Sequence, residues 1–176
     1  MISGFPPSET DATAGSACGS PPCFLLDRTL GRLARWLRLV GYDAEWDPTD
    51  DAVRLLTRAE AEDRTLLTRD TLLVQRRAVH RGSVTALLVR GDHLEEQLHQ
   101  LGEELDLRQR PRARCLVCNG PLRRRSADEA RGRVPPYVAN TQDLFSYCPV
   151  CGRFTWRATH WEGMMSMLRK AGVYEA

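Results

Sequence analysis

The chain of 176 residues is 42% hydrophobic and 27% charged with a formal net charge of +2, the composition of a soluble globular protein with room for one core and a small satellite. No stretch approaches the roughly 18 apolar residues of a membrane span, and the start lacks the basic and apolar segments of a secretory signal, so the expected location is cytoplasmic. In that reducing compartment the six cysteines read as thiols or metal ligands rather than disulfides.

Residues 1–22 are rich in Gly, Pro, Ser, Thr and Ala and hold no Lys or Arg, which predicts a disordered tail. Cys18 and Cys23 lie in or beside it, but two ligands do not fill a tetrahedral site. Order begins at Cys23, where CFLLD reads as a short apolar strand ending on Asp27. The helical run RTLGRLARWLRLVG follows, with Leu30, Leu33, Leu37 and Val40 on one face, Arg28, Arg32 and Arg35 on the other, and Gly41 as its C-terminal cap. YDAEW is a second strand; after Pro48, Asp50 or Asp51 caps the helix AVRLLTRAEAED. RTLLTRD repeats the first theme, a strand ending near Asp70 and running into the helical stretch TLLVQRRAVH. VTALLV is a fourth strand, followed by a helix striped by Leu94, Leu98, Leu101 and Leu105. Strands alternating with helices predict an α/β domain over residues 23–106, a mostly parallel sheet with helices on both faces.

Residues 107–114 form a basic connector containing Pro111, and residues 115–176 a cysteine module with a C-terminal helix. Cys115 and Cys118 make one C-x-x-C knuckle, Cys148 and Cys151 a second. Two such knuckles supply the tetrahedral sulfur site that a structural Zn2+ favours, whereas a redox dithiol needs only one. A ribbon this small has little core, so the metal is expected to supply much of its folding free energy. Between 107 and 134 nine arginines stand against Asp128 and Glu129, among them Arg112, Arg114, Arg123 and Arg124. With Tyr137, Phe145, Tyr147, Phe154 and Trp156 nearby, the module fits phosphate contact and base stacking, or else a solvated basic loop over aromatics that pack the ribbon.

Asp27 and Asp70 end strands and Asp50 or Asp51 begins a helix, at the end of an open parallel sheet where sites form. Converging there they would hold Mg2+ or Mn2+, able to activate water at a phosphodiester; alternatively they cap helices or pair with arginines. The strings FLLDRTLGRLARWLRLVGYD, RTLLTRD, CLVC, CPVC and CGRFTWRATHW together resemble the Mut-seven carboxy-terminal RNase domain family, PIN-like nucleases fused to a C-terminal zinc ribbon. The resemblance runs from about Cys23 to the C terminus and implies a three-layer PIN-like domain with metal-dependent ribonuclease activity. It matches Asp27, Asp51 and Asp70 to the catalytic acids, with Asp50 the alternative to Asp51, and Arg32 and Arg35 to basic positions on the first helix; Arg69 joins them as an RNA contact. The further acid of ordinary PIN nucleases, usually a Glu on a helix, is missing from the pattern. The expected partner is RNA, with a protein regulator or the ribosome as further candidates. The rival reading is a non-catalytic RNA- or ribosome-binding protein. His160 near the C terminus is read as packing in the ribbon rather than as an acid.

Overall fold

A computed structural model describes residues 21–105, 107, 113–157 and 161–173. The predicted tail up to residue 20, with Cys18, and also Arg108, Arg110, Arg112 and His160 lie outside the described residues.

The four apolar runs pair as one parallel sheet. Strands β1 (Cys23–Leu26), β2 (Asp43–Trp46), β3 (Thr65–Thr68) and β4 (Ala86–Leu88) stand in the order β2-β1-β3-β4. Side chains alternate across it. Phe24, Leu26 and Leu67 pack into one layer with α1 (Gly31–Val40) and α5 (Leu94–Glu104). Leu25 and Leu66 pack into the other with α2 (Ala52–Ala61), α3 (Thr71–Val74) and α4 (Arg77–His80). The three-layer α/β architecture is therefore as expected. Gly41 closes α1 at φ 104°, its N–H donating to the carbonyls of Leu37 and Arg38, a left-handed position that glycine occupies without steric cost.

The helix expected over 71–80 is broken in two, because Arg76 is extended (φ −67°, ψ 147°). Six residues of continuous helix would put Leu73 and Val79 roughly 240° apart. The break lets both face the sheet.

Beyond the connector, β5 (Arg123–Ser126), β6 (Leu144–Tyr147) and β7 (Phe154–Thr155) form an antiparallel sheet in the order β5-β6-β7, with α6 (Ala127–Ala130) and α7 (Pro136–Thr141) inserted after β5. The last helix, α8 (Trp161–Lys170), returns to the parallel sheet: Met165, Leu168, Ala171 and Val173 join the core of Leu98, Leu101 and Leu107. No helix among the described residues is long and apolar enough to cross a membrane.

The first knuckle is docked on the sheet. β2 is an edge strand, whose outward N–H and C=O groups need partners when covered. The Ala44 N–H donates to Asn119 Oδ1 at 3.2 Å, and Arg38 Nε donates to the Ala44 carbonyl at 2.7 Å. Asn119, only 2% exposed, also donates from Nδ2 to Asp43 Oδ1 (2.8 Å) and Glu45 Oε1 (2.9 Å). From the other side, buried Arg38 donates to the carbonyls of Leu116 and Val117, inside the knuckle. A seam of charge-assisted bonds thus ties the ribbon to the α/β layers.

Candidate active site and metal centre

At the carboxyl end of the parallel sheet the chain turns out of each strand through an acidic residue. Asp27, following β1, is 5% exposed and is the hub of this region. Its Oδ1 accepts from the Thr29 N–H (2.8 Å) and hydroxyl (2.6 Å), and its Oδ2 from the Thr68 hydroxyl and the Arg69 N–H (2.9 Å). The Thr68 hydroxyl in turn accepts from the Asp70 N–H at 3.0 Å, so the acid after β1 and the acid after β3 are joined through one side chain. The link follows from the pairing of β1 with β3.

Asp51 and Asp70 are both N-caps. Asp51 Oδ1 accepts from the Val53 and Arg54 N–H groups at the start of α2, and Asp70 Oδ1 from the Leu72 N–H at the start of α3. The helix begins after Asp51, which leaves Asp50 one residue outside the cap and exposed. Hard carboxylate and hydroxyl oxygens suit Mg2+ or Mn2+, and Mg2+ ordinarily takes only one or two protein carboxylates and keeps several waters. The donor chemistry therefore fits such an ion. The acids do not form a closed cage: among the described residues the four cysteines are the one group of three or more potential ligands within 4.8 Å of one another.

Two further acids lie at this end of the sheet. Asp47, which follows β2 and is 2% exposed, accepts from the Thr49 N–H and from Arg58 at 3.1 Å, with Arg54 at 3.6 Å. Burial acts to raise its carboxyl, but these hydrogen bonds and charges hold it below the ordinary value. Asp92, in the loop after β4, is exposed and pairs with Arg69. Sequence patterning gives Asp47 no role because its partners come from α2, a different element.

The basic candidates part ways. Arg32 and Arg35 are exposed on α1. Arg69 is held by Asp92, and Arg114 is in the ribbon seam, donating to Asp43 (2.9 Å) and to the Asn119 carbonyl (2.9 Å). Arg123 and Arg124 are exposed on β5. The ribbon aromatics are largely engaged. Phe145 is buried, edge-on to Phe154 and Trp156, while Arg133 lies over the rings of Tyr147 (5.2 Å) and Phe154 (4.9 Å) and Arg125 over Tyr147. Tyr137, at 77% exposure, stands free of the core.

The two knuckles are built alike. Each closes a turn from the residue just after its second cysteine back to its first: the Asn119 N–H donates to the Cys115 carbonyl and the Gly152 N–H to that of Cys148, both at 2.9 Å. Their sulfurs face across the gap, Cys115 to Cys151 at 3.7 Å and Cys118 to Cys148 at 3.4 Å. A tetrahedral zinc with Zn–S bonds of about 2.3 Å places its sulfurs about 3.8 Å apart, so the site fits zinc, whereas a disulfide needs about 2.0 Å. Crowding also sets the thiols against one another. Burial pushes the Cys118 thiol up to about 12; at Cys148 the same burial is outweighed by hydrogen bonds from the Cys151 N–H and the Cys118 thiol, which bring it down to about 7. A dication removes that conflict by stabilising all four thiolates.

The family model described as Mut7-C RNAse domain matches residues 22–168. No curated protein and no solved structure matches the chain.

Proposed function

The chain belongs to the Mut7-C RNAse domain family, and from that premise we propose that it is a Mg2+- or Mn2+-dependent endoribonuclease of PIN-like type acting in the cytoplasm. A ribonuclease-like function with RNA as substrate comes with the family; the metal dependence and the residues are the proposal. The observation that carries it is the bridge from Asp27 through the Thr68 hydroxyl to Asp70 at the carboxyl end of the parallel sheet.

A bound divalent cation would activate water and neutralise charge on the scissile phosphate. Asp27, Asp51 and Asp70 supply the hard oxygens that hold it, Asp50 being the alternative to Asp51. Asp27 is orientated by four donors, so direct ligation exchanges one of its threonine hydroxyl bonds. Arg32 and Arg35, with Arg123 and Arg124 on the ribbon, contact RNA phosphates, which gives affinity with little base preference. The structural zinc keeps the ribbon folded as the substrate-holding half.

The test uses Asp51→Asn and Asp70→Asn, since asparagine caps a helix as well as aspartate and removes only the charge. Asp27→Asn is less clean, because its amide would face the N–H of Arg69 or of Thr29. Labelled single-stranded RNA is incubated with zinc-loaded protein, with Mn2+ or without an added divalent ion. Products from wild type only with Mn2+, and none from Asp70→Asn at undiminished RNA binding, are expected. Wild-type rates in both variants reject the site, and shifted mobility without products in wild type favours the binding-only alternative.

A further inference from the structure

Trp46 ends the edge strand β2, in register with Leu26, one residue before Asp27 in the neighbouring strand. Tryptophan at a strand end ordinarily buries its ring; this one is 41% exposed. It is nevertheless held in place. Its indole Nε1 donates at 3.3 Å to the carbonyl of Arg28, the residue after Asp27. The ring also lies against Gly31, at the start of α1, so closely that a Cβ there would stand 3.1 Å from Nε1 and 3.2 Å from Cε2. One side of the indole is therefore fixed against backbone, while 41% of the residue stays open to solvent.

Arginines stand on the neighbouring helical segment. Arg28, Arg32 and Arg35, at helical spacing on the same segment as Gly31, are all exposed, and none pairs with a described carboxylate. Elsewhere in the α/β layers arginines are commonly neutralised, as with Arg54, Arg58, Arg64 and Arg69. A fixed aromatic ring at a strand end, packed against the start of a helix that carries exposed arginines, brings together the parts that bind single-stranded nucleic acid, the ring taking a base and the cations its phosphates.

We propose that Trp46 is a stacking platform for one unpaired base of the RNA strand, adjacent to the phosphodiester presented to the strand-end acids. It is a positioning residue and takes no part in proton transfer. The identity of the strand rests on the ribonuclease reading above; the stacking itself does not.

Two ten-nucleotide oligoadenylates are compared, one intact and one with its four central bases replaced by abasic sites, so that the phosphates are equal. Binding is measured on the full chain, zinc-loaded, without added Mg2+ or Mn2+. Wild type should bind the abasic strand roughly 5- to 150-fold more weakly, the span that about 1–3 kcal/mol of base–aromatic stacking represents. Trp46→Ala should lose most of that difference, and its KM for cleavage should rise with kcat little changed. Trp46→Phe should retain part of the discrimination but show less of the tryptophan-fluorescence quenching that the intact ten-mer causes in wild type, the other three tryptophans remaining. An unchanged intact-to-abasic ratio in Trp46→Ala, or quenching undiminished in Trp46→Phe, overturns the platform. Absence of RNA products from wild type with Mn2+ would instead overturn the nuclease reading and leave this comparison standing, because discrimination is read without turnover.

Discussion

Replacing Asn119 by alanine should loosen the ribbon from the sheet. The side chain satisfies three groups at once: the N–H of fully buried Ala44, and the carboxylates of Asp43 and Glu45. Stranding the Ala44 N–H costs about 1–3 kcal/mol. Each carboxylate loses one donor but keeps others, Arg64 and Arg114 at Asp43 and Arg58 near Glu45, so about 0.5–1 kcal/mol apiece is lost. Asn119 also has a φ of 62°, where alanine pays about 1 kcal/mol more than asparagine. The expected loss is roughly 3–6 kcal/mol for Asn119→Ala, with Asn119→Gly recovering about 1 of it through the backbone alone. Asn119→Asp keeps an acceptor for Ala44 but sets a third carboxylate against Asp43 and Glu45, and should be no better than alanine. Urea unfolding of zinc-loaded protein at pH 7 measures all three. Free energies within 0.5 kcal/mol of wild type for alanine and glycine alike would refute the seam, as would an aspartate variant of native stability.

Gly102 sits within α5, where helix propensity alone predicts that alanine stabilises by about 1 kcal/mol. A Cβ there would press into the Ala171 carbonyl, a backbone atom that cannot swing aside, so Gly102→Ala should instead destabilise by about 1–3 kcal/mol; a raised thermal midpoint would contradict the α5–α8 packing. At Asp43, burial acts to raise the carboxyl, but hydrogen bonds from Arg64 and Asn119 and the charge of Arg114 hold it below its ordinary 3.8, and Asp47 is lowered similarly. Both folded values lie below the unfolded ones, so their stabilisation is fully present above about pH 4 and is lost as pH falls through the folded values. Urea midpoints should drop steeply from pH 4 to pH 2, and midpoints rising over that range would exclude the assignment. Stripping zinc with a chelator should raise amide exchange in residues 113–122 and, through the Arg38 and Asn119 contacts, at Ala44 as well; exchange confined to the ribbon would show that the seam survives without metal.

Much of the site's inventory was legible in the chain because it depended on short-range spacing. Two C-x-x-C knuckles announce a sulfur-ligated zinc wherever they lie, since a knuckle is a local turn. Asp27 and Asp70 were legible because each follows a four-residue apolar strand, and Asp51 because a cap must precede its helix. Their joining through Thr68 was not, since it depends on which strands become neighbours. Arg114 illustrates the converse: counted with the basic loop, it is drawn into the seam by Asp43, a partner 71 positions away. The ribbon aromatics resemble a stacking surface in the sequence, yet Phe145 is ribbon core and arginines lie over Tyr147 and Phe154.

By itself the sequence determined the alternation of strands and helices, the paired cysteine knuckles whose geometry fits zinc and the positions of the strand-end acids, because period, capping and ligand spacing act over fewer than ten residues. Only the tertiary structure decided the strand order, the return of α8 to the first core, the clamp of Asn119 on β2 and the exposure of Trp46 beside Asp27. Each of these is a pairing between segments distant in the chain, chosen by which buried faces and unsatisfied polar groups complement one another, and no local pattern encodes that choice.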